Sequence, residues 1–134
     1  GITAASASAA AIGQSLTRRG RNASARLITA HDMAGFADHD WRALSRPGEV
    51  AAIYMGKRAA HFLQGRLLMH GAAPDTPVTL VVNATRPDQQ VLPGTLAQLS
   101  QTVARAPEGA ALILFGLAPR APLVAALPRQ MEVS

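Results

Sequence analysis

The chain has 134 residues, of which 49% are hydrophobic and 16% charged, a globular composition with room for one compact core but not for two ordinary domains. Having no cysteine excludes a disulfide framework and thiolate chemistry, and no apolar run reaches the roughly 18 residues that a membrane-spanning helix needs. Thirteen Lys and Arg against eight Asp and Glu leave a net charge of +5, and twelve of the cations are Arg, whose planar fork suits carboxylates and phosphates.

The opening GITAASASAA is made of small helix-compatible residues, with Thr3 placed to cap a helix and Gly13 to stop it. It lacks the basic flank of a secretory signal, and the expectation is a soluble, cytoplasmic protein whose chain starts mid-domain. Residues 23–31, ASARLITAH, set Ala25, Leu27 and Thr29 against Arg26, Ile28 and Ala30, a weak alternation that predicts a strand. DMAGFADHDWRALSRPGE, rich in Gly, Asp and Pro, predicts a loop in which Asp38 or Asp40 starts a turn or short helix at Trp41.

VAAIYM, residues 50–55, is apolar on both alternating faces, as in a strand covered on both sides. In KRAAHFLQGRLLMHG the spacing of Ala59, Phe62, Leu63 and Leu67, with Gly71 past the end, predicts an amphipathic helix. After the turn AAPDTP come a strand at 78–82 (VTLVV) and another at 89–92 (QQVL). Thr95 and Gln98 have capping-box spacing ahead of Leu96, Leu99 and Val103, and Pro107 ends that helix. AALILFG, residues 110–116, is a third apolar strand, and the proline-rich tail after it predicts an edge strand at most. This order predicts an α/β (α+β) fold with a mixed, mostly buried β-sheet flanked by helices.

His31, Asp32, Asp38, His39 and Asp40 crowd one stretch, yet their spacing matches no metal-ligand pattern, so solvated loop polarity and no metal are expected. His61 and His70, nine positions apart on the helix, are read as surface residues on opposite sides. Ser6, Ser8 and Ser15 lack the Gly-x-Ser-x-Gly context of a nucleophile, and no glycine-rich phosphate loop occurs. Five aromatic residues without basic interleaving do not make a base-stacking surface, so nucleic acid is not the expected partner. What recurs is position: Met55-Gly56, Asn83-Ala84 and Phe115-Gly116 each end an apolar strand with a small residue. Such ends leave main-chain groups open to close approach, as a flat pocket for an adenine ring requires.

GITAA, LTRRG, DW, YMG, HG with TPV, TRPDQ, GTL and ALILFG resemble, in order and across almost the whole chain, the uroporphyrinogen-III C-methyltransferases of the tetrapyrrole methylase family. The resemblance is closest to the methyltransferase part of siroheme synthase, whose full length also carries a dehydrogenase and ferrochelatase module. It implies the C-terminal domain of the tetrapyrrole methylase fold over residues 1–134, with the N-terminal half of the same protein, and the acid/base residues, absent. It further implies S-adenosylmethionine as cofactor, S-adenosylhomocysteine as product, and methylation of uroporphyrinogen III to precorrin-2 for siroheme.

By the same resemblance Thr3, Ala4, Met55 and Ala84 contact the cofactor, with Gly116 on the adenine side, and a homodimer is expected. Ala84 stands where the family commonly has Gly, and Thr17-Arg18-Arg19 where many members have Thr-His-Arg. Arg18, Arg19, Arg21, Lys57 and Arg58 are candidates to clamp the substrate's carboxylates, or else form a solvated basic rim. Two alternatives stand beside this: a methylase acting later on the cobalamin route, and a non-catalytic basic module for an anionic partner.

Overall fold

The protein's structure, a computed structural model, describes residues 4–14, 16–17, 25–54, 59–108 and 111–119. Its frame is one five-stranded mixed sheet in the order β1-β2-β5-β3-β4. The strands are β1 (Arg26–Thr29), β2 (Ala51–Tyr54), β3 (Pro77–Val82), β4 (Gln90–Thr95) and β5 (Ala111–Phe115). β1 runs parallel to β2, and every other pairing is antiparallel. This is the α/β arrangement expected from the order of apolar runs.

Successive side chains of a strand point to opposite faces, so an uninterrupted apolar run builds two cores at once. Ile53, Val78, Leu80, Val82, Ile113 and Phe115 belong to the core on one face. Ala52, Val81, Leu112 and Leu114 belong to the core on the other. Against the first face pack α4 (Ala60–Met69), through Ala60, Leu63 and Leu67, and α5 (Leu99–Arg105), through Leu99 and Val103. A 3₁₀ turn, Leu96–Gln98, leads into α5 and buries Leu96. Truncating one of these leucines to Ala costs roughly 2–5 kcal/mol, the transfer loss plus the cavity left behind. The second face carries α1 (Ala4–Ala11), which packs on β5, followed by the buried Ile12.

Several local expectations are corrected. The stretch after β1 is not a loop but two short helices, α2 (Ala30–Ala34) and α3 (Asp38–Leu44). Thr29 Oγ1 accepts from the Asp32 N–H at 3.1 Å, and Asp32 Oδ2 accepts from the Thr29 N–H at 2.8 Å, a reciprocal cap that starts α2. Asp40 Oδ2 accepts from the Ala37 N–H at 2.9 Å and so starts the helix that buries Trp41 and Leu44. Neither helix is long enough to show a 3.6-residue period; α2 lies where only loop was expected, while α3 is the short helix at Trp41 that Asp38 or Asp40 was expected to start.

His70 is not a surface histidine. Only 10% of its side chain is exposed; its Nδ1 lies 2.8 Å from the Arg66 carbonyl, its Nε2 3.5 Å from Asp38 Oδ1, and its ring stacks on Trp41. His61 is exposed as expected, with Nδ1 3.4 Å from Ser100 Oγ. Thr95 makes no side-chain cap; it is the last residue of β4, paired with Pro77. β4 also holds Pro93, tolerated because β4 lies at the edge of the sheet. The tail beyond residue 119, where an edge strand was expected, lies outside the described residues.

The cap at α2 has a measurable signature. The backbone N–H of Thr29, and then its side chain, hold the Asp32 carboxyl below its ordinary value. A folded-state value below the unfolded one means that the cap contributes stability above the unfolded value and loses it as pH falls through the folded one. We therefore expect the ¹³C carboxyl titration of Asp32 to have its midpoint below the usual aspartate range, and Thr29→Ala to move it upward. A midpoint of the parent protein within the usual aspartate range would show that the cap does not form in solution.

Candidate functional site

Because β2 and β3 are each antiparallel to β5, they are parallel to one another, and both leave the sheet at the same edge. At that edge Tyr54 pairs with Leu112, Leu112 with Val81, and Val82 with Ala111. The chain continues from Tyr54 into Met55-Gly56 and from Val82 into Asn83-Ala84. Tyr54 and Ala84, both half-buried, pack against the same cluster, that of Val81 and Leu112. The strands that lead into two of the three small-residue ends, β2 and β3, thus finish at the same edge.

The third goes elsewhere. Gly116 follows the opposite end of β5, where its N–H donates to the carbonyl of Pro77, the first residue of β3, at 2.7 Å. Five strand residues at about 3.3 Å each put it roughly 16 Å from the Ala84 edge. A conformational reason accounts for glycine here: φ is +86°, and a Cβ would lie 2.3 Å from the Glu49 carbonyl oxygen. Gly116 instead lines a separate hollow of about 350 Å³ with Arg46, Glu49, Asp75 and Pro77. The geometry does not bring it together with Ala84.

Helix α1 packs on β5. After it, the Gln14 side chain donates to the Ala118 carbonyl at 3.0 Å, so the carboxyl end of α1 lies toward the Gly116 edge and Ala4 is at its far end. Thr3, Met55, Arg18, Arg19, Arg21, Lys57 and Arg58 lie outside the described residues. Among the described residues no group of three or more His, Asp or Glu could hold a metal ion, and no helix is long and apolar enough to cross a membrane. His31, His39 and Asp38 are exposed, and Asp32 and Asp40 serve as helix caps.

The loop after β3 carries a feature that sequence reading missed. Asn83 and Thr85, either side of Ala84, have φ of 53° and 68°, the left-handed region that favours glycine. Asn tolerates it; a β-branched Thr there costs on the order of 1–3 kcal/mol. The loop is tied by its own groups: Asn83 Nδ2 donates to Asp88 Oδ2 at 2.9 Å, and the Thr85 N–H to Gln89 Oε1 at 2.8 Å. In the sequence TRPDQ carries only a family resemblance; that its Asp and Gln brace the backbone is visible only in the fold.

The fold is a mixed-sheet α/β domain in which two parallel strands, β2 and β3, end at one edge on either side of β5. Over residues 1–100 the chain matches the Tetrapyrrole (Corrin/Porphyrin) Methylases, and it belongs to that family. It is 44% identical over 116 residues to siroheme synthase 3 of Aeromonas hydrophila subsp. hydrophila, a match covering 87% of this chain and 25% of that protein. It superposes with a TM-score of 0.66 and 28% identity on a uroporphyrin-III-C-methyltransferase from Thermus thermophilus, covering 87% of this chain and 48% of that one. A structure of the Thermus thermophilus uroporphyrin-III C-methyl transferase complexed with S-adenyl homocysteine shares the fold, with a TM-score of 0.65 and 23% identity over 85% of this chain and 49% of that one. The chain thus spans about a quarter of the siroheme synthase, and about half of each methyltransferase, that it matches.

The role of Gly116 as a close-approach glycine has a direct test. Gly116→Ala should lower stability to urea by about 2–4 kcal/mol, from left-handed strain plus the overlap with the Glu49 carbonyl. A loss under about 1 kcal/mol would mean that the Glu49 backbone gives way freely.

Proposed function

We propose that this chain is the carboxyl-terminal half of an S-adenosylmethionine-dependent uroporphyrinogen-III C-methyltransferase, within a larger siroheme synthase. The observation that carries the reading is the sheet edge, where the strand leading into YMG and the strand leading into NATRPDQ end on either side of the start of β5, in a chain 44% identical to a siroheme synthase. The full protein would transfer methyl groups from the sulfonium of S-adenosylmethionine to carbons of uroporphyrinogen III, giving precorrin-2 and S-adenosylhomocysteine. Such a transfer depends on in-line approach in a dry, shaped cleft, and a cleft between this domain and an amino-terminal half supplies one.

In this reading Thr3, Ala4, Met55 and Ala84 contact the adenosine part of the cofactor. Gly116, at the far edge, has the weakest support among the cofactor residues. Arg18, Arg19, Lys57 and Arg58 would face the substrate's carboxylates, to which a guanidinium donates two parallel bonds. A cytoplasmic homodimer completes the proposal. Leu27, Phe62 and Met69 remain exposed on this half and give the charge-poor surface apolar contact area.

Two measurements test it on the full-length protein. Calorimetry with S-adenosylhomocysteine should show binding that Met55→Asp weakens about tenfold or more, while Met69→Asp, on the exposed side of α4, changes it less than about twofold. Comparable losses at both positions would remove Met55 from the site. In a methylation assay the full-length protein should turn over and the 134-residue chain alone should not, since a cofactor cleft needs both walls. Equal turnover would refute the division of the site between two halves.

A further inference from the structure

Loop 83–89 connects antiparallel neighbours β3 and β4, and Val82 and Gln90 pair across its base. Within it, Ala84 sits between two non-glycine residues held at positive φ, one of them β-branched. Such a backbone persists only where its surroundings over-determine it. Here the surroundings are short bonds from the far side of the loop. Asp88 Oδ2 accepts from the buried Asn83 amide at 2.9 Å, and Asp88 Oδ1 lies 3.5 Å from Arg86 Nε. Gln89 Oε1 accepts from the Thr85 N–H at 2.8 Å, while the Gln89 and Arg86 N–H groups close turns onto Arg86 and Asn83 carbonyls, each at 3.0 Å.

We propose that Asp88 and Gln89 are positioning residues for the cofactor: without touching it, they lock Asn83 and Thr85 in the left-handed region and so fix the main chain of Ala84 before the ligand arrives. This rests on the reading that the Ala84 edge holds the cofactor. The two residues held at positive φ flank Ala84, which packs with Tyr54 against the cluster of Val81 and Leu112. Locking the loop in advance removes the ordering cost that binding would otherwise carry. Asp88 and Gln89 are exposed, so their replacement leaves the core intact.

The test uses glycine as a chemical rescue of strain. In the full-length protein, Gln89→Ala should weaken S-adenosylhomocysteine binding about tenfold by calorimetry and raise the KM for S-adenosylmethionine with kcat unchanged. Gln89→Glu keeps an oxygen acceptor for the Thr85 N–H and should stay within about twofold of the parent. Glycine occupies positive φ without a lock, so adding Gln89→Ala to Thr85→Gly should cost less than about threefold relative to Thr85→Gly alone. Urea unfolding of each variant confirms that the affinities compare folded proteins.

Unchanged affinity in Gln89→Ala overturns the proposal and makes the brace a hairpin feature only. A loss that Thr85→Gly does not relieve also overturns it, since Gln89 would then act on the ligand directly. A parent protein that gives no heat with S-adenosylhomocysteine overturns the cofactor reading itself, and the brace with it.

Discussion

Strand β5 hydrogen-bonds to β2 on one side and to β3 on the other, antiparallel to both, and much of the molecule follows from that placement. The last described strand in the chain is inserted between two earlier ones, so β2 and β3 must point the same way and end at the same edge. Ile113 and Leu114 are almost fully buried, one in each core, and β5 accordingly reads as five apolar residues in a row. Polar substitution at either would strand an unpaired group in one of the two cores.

The two faces of the sheet are used differently. One is sealed by α4, α5 and the Trp41 cluster, and its residues carry stability. On the other lie α1 and the half-buried Tyr54 and Ala84, which border the ends of β2 and β3. The same sheet therefore has one face covered by helices and another on which the half-buried Tyr54 and Ala84 lie near its end. Gly116 has a conformational reason to be glycine, the nearby Glu49 carbonyl at the opposite edge.

The edge near Ala84 is also where backbone strain collects. Strain at Asn83 and Thr85 is affordable because the β3–β4 ladder and the Asp88 and Gln89 side chains hold both ends of a short loop. With the family match spanning residues 1–100, this places the loop's strained backbone in a tetrapyrrole methylase domain that covers 25% of the siroheme synthase it matches.

The sequence by itself determined the elements whose signals are local. Three apolar runs became β2, β3 and β5, the spacing of Leu63 and Leu67 became α4, and the ordered motifs pointed to the family that the comparisons show. It did not show α2, because a five-residue helix has no period to detect, whereas the short helix at Trp41 was legible from the Asp residues that start it. It misread His70, since burial against Trp41 depends on how α3 crosses α4. Only the tertiary structure decided which strand ends meet, because pairing partners far apart in the chain are chosen by packing, not by local pattern. That choice joins Ala84 to the exit of β2, separates Gly116 from both, and gives Asp88 and Gln89 a strained backbone to hold.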